Sequence, residues 1–245
     1  MRRERYLDLL DGDGRLLLAG AAAAGLTAAI PACPGWTVRD AVEHTAEVYE
    51  HKIACIRLGG PAPDPWPPLW PTDRDPLAWF ADAHSRLRDV LRSTDPAAPS
   101  WTWWAPDQSA GFWVRRMAQE TAVHRADVQS AGFGITPIDP ELAVDGIDEV
   151  LLMMLAGDWT EDVQPGSTGT VVVAAGERAW RVVMAPDRID VVPGGGEDEA
   201  HGRVSGGASE VLLWLWGRAQ DTSVRVSGAR AGVPRLRERL VLATQ

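Results

Sequence analysis

The strongest constraint in this sequence is a change of hydrophobic period near Pro165. Before it, apolar residues recur at spacings of three and four, the signature of a helix face. After it they alternate at two, the signature of a half-buried strand. One layered architecture does not satisfy both patterns. The expected fold class is therefore α plus α+β, a helical domain over 1–163 followed by a small α+β domain over 164–245.

Prolines and glycines cut the first part into helix-sized pieces. Arg3 to Ile30 reads as a first helix, weakened around Asp11–Gly14 and ended by Pro31 and Pro34-Gly35. Its apolar run Leu16 to Ile30 has the look of a signal-peptide core, but Asp8, Asp11 and Asp13 interrupt the preceding region. A first core helix is the expectation, and the run is too short and too rich in Gly and Ala for a membrane span. Thr37, with Asp40 three residues on, caps a second helix from Val38 to about Leu58. Gly59 to Asp75 is a proline-rich linker, and Pro76 opens a third helix to about Arg92. After the irregular, Trp-bearing stretch Pro96 to Asp107, Gly111 to Gly132 reads as one amphipathic helix, and Glu141 to Ala156 as a fifth. Gly169–Ala174, Ala179–Met184, Arg188–Val192 and Ser223–Val226 are expected strands. Ala208–Arg218 and Val233–Leu242 are expected helices, and the acidic Pro193–Gly202 is an expected loop.

A net charge of -10 argues against nucleic acid, which needs clustered Lys and Arg facing phosphates. Lys52 is the only lysine, while Arg, Ala and Gly abound, a bias that fits a GC-rich, actinobacterial-type genome. Cys33 and Cys55 form neither a disulfide framework nor a CxxC metal motif, so a reducing cytoplasm is expected. Twelve Trp invite an aromatic-lined cavity. The sequence holds no Walker loop, no GxGxxG after a strand and no GxSxG elbow.

One constellation stands out. Glu120 and His124 lie four apart inside Gly111–Gly132, which puts a carboxylate and an imidazole on one helical face. Such a pair is usually a solvated surface pair. A further imidazole from the second helix would make two His and one Glu, the ligand count of a catalytic zinc site with an open position. Spacing leaves His44 and His51 as rivals for that place. His84 and His201 read as surface residues. Trp36, Trp104 and Trp113 are candidate pocket walls, with a core role as the competing reading and the leading one for Trp36. Arg218 is the cation flagged in the second domain, where capping its helix explains it equally well.

Three stretches carry a resemblance: CPGWTVRDAVEH (Cys33–His44), GFWVRRMAQETAVHRADVQ (Gly111–Gln129) and TPIDPELAVDGIDEVL (Thr136–Leu151). They resemble the mycothiol-dependent maleylpyruvate isomerase family, within the wider DinB-like group of four-helix-bundle metalloproteins. The C-terminal half is similar to the sterol-carrier-like α+β domain that follows the bundle in that family. The resemblance implies a divalent metal, zinc, held by His44, Glu120 and His124, and so favours His44 over His51. It also implies mycothiol as cosubstrate and an assisting Arg, for which Arg218 is the candidate, with Arg203 and Arg181 as alternatives. The function implied is thiol S-transfer to a small electrophile or maleylpyruvate-type cis-trans isomerisation. The rival is a metal-containing protein that binds a small molecule or partner without thiol transfer. No membrane or nucleic-acid partner is expected, and a monomer or weak dimer is.

Overall fold

The computed structural model describes residues 1–68, 73–132, 134–157, 168–194, 200–228 and 232–244. Two compact units divide at Thr136/Pro137. The boundary expected at 163/164 lies outside the described residues. The structural division falls earlier because the segment after Pro137 packs with the later elements.

The first unit is a bundle of α1 (Arg3–Ala24), α2 (Val38–Leu58), α3 (Pro76–Ser93) and α4 (Ala110–Ser130). α1 packs along α4 and α2 along α3, and contacts of α1 with α3 and of α2 with α4 close the ring. Local chemistry sets the helix ends. Thr37 and Asp40 form a capping box, with the Thr37 amide donating to Asp40 Oδ2 at 2.7 Å. Gly59 ends α2 at φ 62°, a left-handed conformation that glycine adopts without steric cost. Asp75 caps α3 ahead of Pro76, its Oδ1 accepting from the Leu77 amide at 3.1 Å.

α1 runs unbroken through Asp11–Gly14, contrary to the weak point expected there. The reason is packing. A Cβ on Gly14 would lie 2.3 Å from His84 Nε2, so the glycine lets α3 approach rather than loosening α1. His84 is itself buried, correcting the surface reading. Its Nε2 donates to the Leu10 carbonyl at 3.1 Å, and its ring stacks on Phe80 at 5.8 Å and 5°.

Burial pushes the His84 imidazole below its ordinary value of 6.5, and Arg88 and Arg15 add to this against the Leu10 carbonyl and Asp11. The unfolded chain therefore takes up the proton first as pH falls. The stability that His84 contributes is complete above 6.5 and is lost as pH drops toward the folded-state value. Urea midpoints measured from pH 7.5 to 5 should decline, and His84→Gln should flatten that part of the slope.

The second unit holds α5 (Pro140–Asp148), which continues into a π-helical segment Glu149–Leu155 where the sequence suggested one α-helix. Its sheet comprises β1 (Gly169–Ala175), β2 (Arg178–Met184), β3 (Ile189–Pro193), β4 (Gly202–Gly206) and β5 (Arg225–Ser227), in the order β3-β2-β1-β4-β5. β1 pairs antiparallel with β2 and parallel with β4. β4 was not expected. It begins at Gly202, the last residue of the expected acidic loop, and runs through residues to which the sequence assigned no element; 195–199 of that loop lie outside the described residues. α6 (Ala208–Leu215) and α7 (Gly232–Thr244) pack on β1 and β4. No helix among the described residues is long and apolar enough to cross a membrane.

Candidate metal centre

α4 is buried on nearly every side, which corrects its reading as a simple amphipathic helix. Its polar residues Arg116, Gln119, Glu120, Thr121, His124, Arg125 and Asp127 are all buried. Buried polar groups need partners, and Arg116, Glu120, Thr121, His124, Arg125 and Asp127 find them on α4 itself and on the facing helices. Thr121 Oγ1 lies 2.5 Å from the Tyr49 hydroxyl. Arg125 Nε lies 2.8 Å from Asp13 Oδ1, and its Nη1 donates to Gln129 Oε1 at 2.8 Å.

Facing α2, the helix brings three donors together. One ligand atom each from His44, Glu120 and His124 lies within 4.8 Å of the others. The Nε2 atoms of His44 and His124 stand 3.5 Å and 3.2 Å from the same oxygen, Glu120 Oε1. Glu120 Oε2 accepts from Arg116, one turn earlier on α4. His124 Nδ1 lies 3.1 Å from Asp127 Oδ2. With Nδ1–H donated there, Nε2 is left as the ligating atom, an arrangement common behind metal-bound imidazoles. Glu120 and His124 are less than a tenth exposed, whereas the His44 side chain is 41% exposed, so the cluster is open on that side.

The electrostatics suit a cation. Burial alone would push the Glu120 carboxyl up, but Arg116 and His124 outweigh it and hold the group well below the usual carboxylate range. Burial pulls the His124 imidazole down, yet Glu120 and Asp127 raise it to about 9. Two imidazoles, one ionised carboxylate and an exposed flank fit a divalent ion such as zinc, with a fourth position left for another ligand.

The other expected site residues distribute differently. His51 is not in the cluster: it lies beside Lys52 and Cys55, 5.0 Å from the Trp66 ring. Trp36 is half-buried. It stacks on His124 at 6.2 Å and 12°, and its ring lies 5.1 Å from His44. Trp113 is wholly buried and held by Ser100 and the Trp101 carbonyl, a core position for that residue. Trp104 is half-buried against Trp103. Arg218 belongs to the second unit, where its Nη1 donates to the Trp216 carbonyl at 2.7 Å. Sequence reasoning passed over Arg116 and Asp127, although both stood at helical spacing from the pair, four before Glu120 and three after His124.

A four-helix bundle with a His–Glu–His donor set between two of its helices, followed by an α+β unit, defines a class of bundle proteins with a candidate metal centre. The sequence profile described as mycothiol maleylpyruvate isomerase N-terminal domain matches residues 7–129, half of the chain, and the chain belongs to that family. Two solved structures share its fold over 93% of both chains at a TM-score of 0.64. They are the mycothiol-dependent maleylpyruvate isomerase, 15% identical, and a histidine-to-alanine variant of it, 14% identical. None of the curated proteins matches the chain.

Proposed function

We propose that this chain is a zinc-dependent enzyme that uses a low-molecular-weight thiol, mycothiol, as nucleophile on a small electrophile. The observation that carries the reading is the convergence of His44, Glu120 and His124 donors within 4.8 Å beside an exposed flank, in a chain of the mycothiol maleylpyruvate isomerase family. When bound there, a divalent metal supplies Lewis acidity that lowers the pKa of a coordinated thiol to give a nucleophile at neutral pH.

The chain's own residues prepare that site. Asp127 fixes the His124 ring by its Nδ1 and leaves Nε2 toward the cluster. Arg116 occupies Oε2 of Glu120, so Oε1 stays toward both imidazoles. Trp36 stacks on the His124 ring and lies tilted against His44, an aromatic wall beside the two imidazoles. A thiolate at this position has two outcomes. Adding to an electrophilic double bond and leaving again isomerises a cis alkene, while displacing a leaving group transfers the sulfur. The competing reading, a metal-containing binding protein, keeps the donors but has no turnover.

The test uses metal-loaded protein with mycothiol and monobromobimane. Conjugate should form faster than without protein, and His44→Ala should lose both metal and rate. His44→Ala protein that kept both would overturn the ligand assignment. Metal-loaded wild type that gave no conjugate with any electrophile, and no isomerisation of maleylpyruvate, would favour the binding protein.

A further inference from the structure

Lys52, the chain's only lysine, lies on α2 two turns beyond His44, about 12 Å along the helix axis. Its Nζ stands 3.1 Å from His51 Nδ1 and 4.6 Å from the centroid of the Trp113 ring. Among the described residues no carboxylate pairs with it. The adjacent acid is already engaged: Glu50 accepts from Arg86 Nη1 at 2.9 Å. Burial pushes the Lys52 amine down, partly offset by Cys55 and Glu120. Burial, reinforced by Lys52, also lowers His51 to about 4, so its Nδ1 is a neutral acceptor at pH 7.

An ammonium whose nearest partners are a neutral nitrogen and a π face, with no carboxylate in hydrogen-bond contact, is costly, because lysines that leave water are normally paired. The surroundings are built rather than loose. Trp113 is fixed by hydrogen bonds of 3.0 Å from its Nε1 to Ser100 Oγ and to the Trp101 carbonyl, with Phe112 edge-on at 5.0 Å. The His51 ring meets Trp66 at 5.0 Å and Trp101 at 5.9 Å, and both of these indoles are partly exposed. The result is a cation with aromatic walls and a partly exposed aromatic rim, beside His51, which lies seven residues after His44 on the same stripe of α2.

We propose that Lys52 is an anion-recognition residue of this site, receiving the carboxylate of a flat aromatic electrophile whose reactive carbon lies at the His44–Glu120–His124 end. The identity of the reacting end rests on the thiol-transfer reading above, and the anion end does not. Lysine side chains on a helix lean toward its N-terminus, which shortens the axial separation. The span still fits a ring-sized body between reactive carbon and carboxylate better than a compact diacid.

A single lysine gives a direct readout. In metal-loaded protein labelled with nitrogen-15 lysine, the one Nζ resonance is titrated with nitrobenzoate and with nitrobenzamide. The carboxylate should shift it saturably and the amide should not. A resonance indifferent to both, or moved equally by both, would overturn the proposal whether or not the protein turns over. In the kinetic arm, mycothiol displaces chloride from chloronitrobenzoate or its methyl ester, the C–S bond forming as chloride leaves. Lys52→Met should raise KM for the carboxylate about tenfold and leave the ester unchanged, while Lys52→Arg keeps the preference. Equal effects on both substrates, or none on the carboxylate, would sink the assignment. If wild type converts neither, the transfer reading fails and the titration alone decides the anion site.

Discussion

On the proposed reading, replacing Glu120 with glutamine is expected to abolish divalent-metal binding at the candidate centre and to lower the thiol-transfer rate by about a hundredfold. The substitution keeps shape and removes only charge. That charge is the point of convergence: Oε1 lies 3.5 Å and 3.2 Å from the two imidazole nitrogens, and Oε2 accepts from Arg116. A neutral amide is a poor ligand to a divalent ion and leaves Arg116 without its carboxylate on α4. The expected readout is twofold. Metal content after dialysis should fall from one per chain toward zero. The chelator-sensitive part of thermal stability should also vanish, because a ligand that binds only the folded state stabilises by about 4 kcal/mol at a thousandfold excess over Kd. Wild type should lose melting temperature on chelation, and Glu120→Gln should show no such loss. Retention of stoichiometric metal by the variant would sink the centre as described.

The second large effect is structural. Asp13 on α1 pairs with Arg125 on α4, Oδ1 to Nε at 2.8 Å, and Arg125 is only 1% exposed. Removing the acid strands a buried guanidinium. Breaking a buried pair from one side costs about 3–5 kcal/mol, a large share of a domain's stability of roughly 5–15 kcal/mol. Asp13→Ala should therefore move the urea midpoint far down or prevent expression. Replacing both partners with apolar groups, Asp13→Leu with Arg125→Met, should recover much of the loss, because the uncompensated charge is gone. A single variant within 1 kcal/mol of wild type would show that the pair contributes little.

These two sites mark how far the sequence could be read. Caps, breaks and the change of period were legible because they are local: the Thr37–Asp40 box and Pro76 at the start of α3 carry their own chemistry. The Glu120–His124 pair was visible as spacing. Its burial was not, because a helix buried on all sides by other helices shows no apolar stripe when its polar residues are paired internally. Asp13 and Gly14 read as a helix break, since what they serve, Arg125 and His84, lies far away in sequence. Spacing leaves His44 and His51 as rivals, the family resemblance favours His44, and the tertiary placement agrees with it. Their places on α2 are equivalent by spacing, but only His44 faces Glu120 Oε1. β4 was missed because five residues with glycine at both ends carry too little pattern to be told from a loop.

The parallel pairing of β1 with β4 has a consequence for the making of the protein. Residues leave the ribosome in order, and β1 with its Val-rich run Val171–Val173 can fold back on β2 at once through a short hairpin. Its other edge has no partner until Gly202–Gly206 has been synthesised. During that interval an apolar strand presents a row of unsatisfied amides and carbonyls, the kind of edge on which nascent chains stick to one another. Translation speed through the segment between β2 and β4 thus bears on the yield of folded protein.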